Sequence, residues 1–98
     1  MSYFLSFTPS VKQSLQELKN SAHLEKRFKA VSKALKYFAE DPRHPSLQTH
    51  QYFSLFSSAG DKVFEAYAEQ DTPVAYRIFS YSCPRRGEIV VFAITPHP

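Results

Sequence analysis

Residues 24–45 read LEKRFKAVSKALKYFAEDPRHP, and this stretch decides the fold. Leu24, Phe28, Val31, Leu35 and Phe38 recur at steps of four and three, so on a helix they form one apolar stripe. Lys26, Lys29, Lys33 and Lys36 recur at steps of three, four and three. At about 100° per residue the lysines fall almost opposite the apolar stripe. The segment therefore predicts a helix with one greasy and one basic side. Asp41-Pro42-Arg43-His44-Pro45 ends it, because proline cannot continue a helix and restricts the residue before it.

Upstream, residues 3–7 are aromatic and apolar, which suits a first strand. Thr8-Pro9-Ser10 reads as a helix start, with a capping hydroxyl and a proline in the first turn. Val11, Leu15, Leu18 and Ala22 follow at helical spacing, and Asn20-Ser21 separates this helix from the next. Downstream, residues 52–56, 63–69, 74–82 and 88–95 are rich in aromatic and β-branched side chains. Short turn-forming connectors join them, so an antiparallel meander is the natural arrangement. The expected fold is α+β: an N-terminal strand and a two-helix hairpin packed on an antiparallel β-sheet, with 1–98 as a single domain.

Composition narrows the function classes. The chain has 98 residues, 43% hydrophobic and 15% aromatic, which argues for a packed fold rather than disorder. Only Gly60 and Gly87 are glycines, which excludes glycine-rich phosphate loops. Cys83 is the lone cysteine, so neither an internal disulfide nor a cysteine zinc cluster can form. That usage fits a reducing cytoplasm. No leader and no membrane-length apolar run is visible. The four histidines avoid the i, i+4 metal spacing, and no metal or small-molecule cofactor is expected. Residues 1–49 carry eight Lys and Arg against four Asp and Glu; residues 50–98 carry four against five. The basic half invites an anionic partner, such as nucleic acid or an acidic protein, or is simply a solvated helix surface.

The remaining chemistry lies in the β half. Arg77, Arg85, Arg86, His50, His97, Tyr52 and Tyr67, with Glu65 as a possible base, suit metal-independent RNA cleavage. That reaction needs a base for the ribose 2′-hydroxyl, an acid for the leaving 5′-oxygen and a cation for the phosphorane charge. Histidine serves either proton role, arginine grips phosphate through its fork, and aromatic rings stack on splayed bases. Period two places Arg77 on one sheet face with Ala75, Phe79 and Tyr81. It also groups Val90, Phe92 and Ile94 on one side of the last strand. Structural readings stand beside these. Arg77 could pair with Glu65 or Glu69 on the neighbouring strand. His97 could be a solvated tail residue, His50 a turn residue, Tyr52 and Tyr67 half-buried strand aromatics, and Arg85 and Arg86 a solvated turn.

In its order of elements the chain resembles the RelE/ParE toxins of type II toxin–antitoxin systems. DPRHPSLQTHQY (41–52) is similar to the family's proline-bracketed segment after the second helix. VFEAYA (63–68), VAYRIFSY (74–81) and IVVFAITPHP (89–98) resemble its inner strands and its closing strand with a terminal histidine. The resemblance implies a ribosome-dependent mRNA endoribonuclease that inhibits translation. It implies that Arg77 binds phosphate and His97 is the terminal acid or base. Glu65 or His50 would be the opposing proton-transfer group. The stripe Lys26, Lys29, Lys33 and Lys36 would face ribosomal RNA or solvent, and the partner would be a cognate antitoxin. The lysine pair used in some branches is missing from the first strands of the sheet. The same scaffold also serves a ParE-like, non-enzymatic gyrase inhibitor or a catalytically inactive basic binding module.

Overall fold

The computed structural model describes residues 4–69, 75–83 and 87–96. Helix α2 spans Glu25–Glu40 and buries Val31, Ala34 and Phe38. Leu24, Phe28 and Leu35 pack against the same core while staying partly exposed. The burial centre is thus rotated toward Ala34, away from the middle of the apolar stripe, while Phe28 and Leu35 line a groove with Leu15 of the first helix. Lys26, Lys29, Lys33 and Lys36 are all exposed. The helix stops at Asp41, whose extended backbone still donates its N–H to the Tyr37 carbonyl at 2.7 Å. Helix α1 spans Pro9–Asn20. Thr8 caps it through a long 3.4 Å bond from the Val11 N–H, and Val11 and Leu18 are buried. Neither helix is long and apolar enough to cross a membrane.

Strands β1 (Phe4–Phe7), β2 (His50–Phe56), β3 (Lys62–Tyr67), β4 (Tyr76–Cys83) and β5 (Glu88–Pro96) form one sheet in the order β1-β5-β4-β3-β2. From β2 to β5 every pairing is antiparallel, as the short connectors predict. The first strand differs: β1 pairs parallel with β5, so the sheet is mixed rather than wholly antiparallel. The connections explain this. A chain that reverses direction at each link from β1 through two helices and four strands reaches β5 running the way it began.

Both helices bury their apolar faces on one side of the sheet, against Ala66, Ile78, Ile89, Val91 and Ile94. Strict alternation would place Ile94 with Phe92. A bulge prevents this: Phe79 pairs with Ala93 but Ser80 with Val91, which leaves Phe92 as the extra residue. Ile94 therefore joins Ile89 and Val91 in the core. The ring of Phe92 lies instead beside Phe79 and Tyr81 on the second face. That face carries the polar cluster.

Candidate nucleic-acid interface

Three adjacent strands build the cluster. His50 on β2 lies directly opposite Glu65 on β3, and Tyr67 on β3 lies opposite Arg77 on β4. Arg77 is then the diagonal neighbour of Glu65, within reach of a long side chain. Its Nη1 donates to Glu65 Oε2 at 2.8 Å. His50 Nε2 lies 2.7 Å from Glu65 Oε1, and the Tyr67 hydroxyl donates weakly to the same oxygen at 3.4 Å. Glu65 is only 4% exposed, so both its oxygens are taken and little of it meets water. A carboxylate this buried persists because cationic and hydroxyl donors surround it.

The far side of His50 is also tied. Its Nδ1 sits 2.8 Å from the Gln48 carbonyl. Gln48 itself is left-handed, with φ 47° and ψ 43°. A non-glycine residue held there costs on the order of 1–2 kcal/mol. The strain aims the Gln48 carbonyl at the ring two residues on. The Tyr67 hydroxyl is pushed above its usual 10.0 by burial first and then by the Glu65 charge and hydrogen bond, with Arg77 pulling the other way. Tyr67 therefore stays a donor at neutral pH.

Aromatic rings continue the surface. The Arg77 guanidinium lies over Phe79 at 4.9 Å from the ring centre. Tyr52 meets Phe79 edge-on at 5.1 Å, and Phe92 bridges Phe79 and Tyr81 at 6.3 and 5.8 Å. The result is a buried ionic set beside an aromatic strip. It offers a fixed cation for phosphate and ring surface for bases.

The structure thus brings together Arg77, Glu65, His50 and Tyr67, with Tyr52 attached through Phe79. It does not bring the lysine stripe to them. Lys26, Lys29, Lys33 and Lys36 project from the outer side of α2, which packs on the other face of the sheet. Lys29 pairs with Glu25 at 3.3 Å in the open, a contact of little energetic weight, and Lys33 sits 5.7 Å from the Tyr37 ring centre. Arg85, Arg86 and His97 lie outside the described residues. Of the two pairings open to Arg77, the one with Glu65 is made. Glu69 instead receives Arg27 from α2, whose Nη1 is 2.8 Å from both carboxylate oxygens. Among the described residues no group of three or more His, Cys, Asp or Glu side chains could hold a metal.

Sequence reasoning passed over Gln48 and Phe92. The first is visible only as a backbone angle, and the second depends on the bulge. A separate groove of about 540 Å³ runs between the helices, lined by Leu15, Phe28 and Leu35 with Lys12 and Lys19 at its rim. Apolar surface is also bare at Phe53 (75% exposed), Leu55 and Phe56 on edge strand β2.

No protein-family model matches the sequence, and no curated protein does. A solved structure does: RelE in the archaeal RelE–RelB complex from Pyrococcus horikoshii OT3. The superposition has a TM-score of 0.67 and covers 98% of this chain and 96% of that one, at 13% sequence identity. The strand, two helices and five-stranded sheet described above are therefore the RelE-like fold.

Proposed function

We propose that this chain is the toxin of a type II toxin–antitoxin pair, acting in the cytoplasm as a metal-independent, ribosome-dependent mRNA endoribonuclease. The observation that carries the reading is Arg77, a guanidinium fixed between a buried carboxylate and an aromatic ring, with the half-buried rings of Tyr52, Tyr81 and Phe92 on the same face. The RelE-like fold supports it, since the archaeal RelE is seen bound to RelB; a cognate antitoxin is the corresponding partner here. In the reaction the 2′-hydroxyl of the target nucleotide attacks its own 3′-phosphate. The O–H proton goes to a base, the P–O5′ bond breaks, and an acid protonates the departing 5′-oxygen. The products are a 2′,3′-cyclic phosphate and a 5′-hydroxyl. Arg77 meets the charge that builds on phosphorus oxygens, worth about 10²–10³ in rate for a single electrostatic donor. His97, which follows β5 in the sequence, is the terminal acid or base, and His50 and Glu65 are the candidates for its opposite. Tyr52 and Tyr67 contact bases, while Arg85, Arg86 and the α2 lysines contact RNA backbone.

One observation favours a second reading. The pairing of Arg77 with Glu65 is also what a structural ion pair looks like, and an inactive basic module that binds only its antitoxin would keep it. Expression without a partner, followed by mapping of cellular RNA 5′ ends, separates the readings. The nuclease produces new 5′-hydroxyl ends within translated regions. Arrested replication with intact mRNA points to a gyrase inhibitor, and unimpaired growth points to the inactive module.

A further inference from the structure

The nuclease reading leaves His50 and Glu65 a choice between moving a proton and holding Arg77. We infer that they hold it: Gln48, His50 and Glu65 form a chain of positioning residues whose end product is a fixed Arg77 guanidinium. The inference rests on the nuclease reading for its catalytic consequence and on geometry alone for the clamp.

The geometry is specific. A base must present a free lone pair to the substrate hydroxyl. Both oxygens of Glu65 already accept hydrogen bonds, Oε1 from His50 and Tyr67 and Oε2 from Arg77. The carboxylate is also 4% exposed, too deep to meet a ribose. His50 is half-exposed, yet both its nitrogens are engaged, Nδ1 by the Gln48 carbonyl and Nε2 by Glu65. The left-handed Gln48 orients that carbonyl. Strain of this kind survives only where the surroundings enforce it, and it gathers at functional sites. Each link fixes the next: the carbonyl sets the ring, the ring sets the carboxylate, and the carboxylate with the Phe79 face sets the guanidinium plane. A guanidinium so held loses little freedom when it meets phosphate.

A kinetic cycle with a spectroscopic arm tests this. Cleavage of ribosome-bound mRNA is measured across pH for the wild type, His50→Gln, Arg77→Met and the double variant. Glutamine can still donate to Glu65 but cannot titrate. A positioning role predicts that His50→Gln slows cleavage by about 10- to 100-fold, the scale of a misplaced group. It predicts an unchanged pH profile and no further loss in the Arg77→Met background. A pH limb that disappears in His50→Gln, or losses that multiply in the double variant, would overturn it. The second arm needs no activity. Side-chain ¹⁵N NMR should show restricted rotation of the Arg77 guanidinium in the wild type and free rotation in Glu65→Gln. Free rotation in the wild type also overturns the inference. If the wild type cleaves nothing but its Arg77 is restricted, the nuclease reading falls and the clamp stands.

Discussion

Removing one partner from the Arg77–Glu65 pair should cost far more than removing both. Glu65 is 4% exposed and the Arg77 side chain 17%, so the carboxylate has almost no water to fall back on and the guanidinium only a little. Breaking a buried pair by deleting one member costs about 3–5 kcal/mol, because the survivor stays buried and uncompensated. Glu65→Leu strands a guanidinium whose Nε already lacks a partner among the described residues, which sets the loss near 4 kcal/mol. Arg77→Met leaves Glu65 with His50 and the long Tyr67 bond, so its loss should sit near 3 kcal/mol. In a domain of this size about 3 kcal/mol lowers Tm by roughly 12–24 °C. The double variant Glu65→Leu/Arg77→Met removes both charges and fills the space with carbon. His50, 47% exposed, can then turn to water, and stability should return to within about 1–2 kcal/mol of the wild type. Urea and thermal unfolding followed by circular dichroism measure all four proteins. Single variants that each cost under about 1 kcal/mol, or a double variant whose loss equals the sum, would refute the argument.

Other outcomes follow from the same structure. Ile78→Ala, at a side chain with no exposure beneath the helices, should destabilise by about 2–5 kcal/mol, read as a lower urea midpoint at constant slope. Tyr67 is raised above 10.0 in the folded chain, so its contribution is fully present below pH 10.0 and is lost as pH rises through the folded value. Tyr67→Phe should therefore lose stability less steeply than the wild type above pH 10.0, as urea titrations across the alkaline range will show. Replacing Lys26, Lys29, Lys33 and Lys36 by alanine should leave the fold intact, since all are exposed. If these lysines touch ribosomal RNA, the salt dependence of ribosome binding should flatten by roughly 0.7–0.9 in log–log slope per lost contact. An unchanged slope would assign the stripe to solvent.

The fold was legible because its strongest signals are periodic. The Leu24–Phe38 stripe and the Thr8-Pro9 start gave both helices to within a residue or two. Short connectors gave the meander. Two features escaped a strictly local reading. The parallel seat of β1 beside β5 depends on partners more than eighty residues apart. The bulge at Phe92 breaks period two with no glycine or proline to announce it. At the site, Glu65 and Arg77 were legible as a cross-strand pair, because alternation and neighbouring strands imply it. The tie between His50 and Glu65 was not. It requires the register of β2 on β3, and that register shifts between Gln51 and Phe56.

The most direct measurement compares cleavage of ribosome-bound mRNA by the wild type and by the folded Glu65→Leu/Arg77→Met variant, with the termini of the products identified. The wild type should release fragments ending in 2′,3′-cyclic phosphate, and the variant should be slower by about 10² or more. Equal rates from an intact variant would contradict the account, because cleavage would then owe nothing to Arg77.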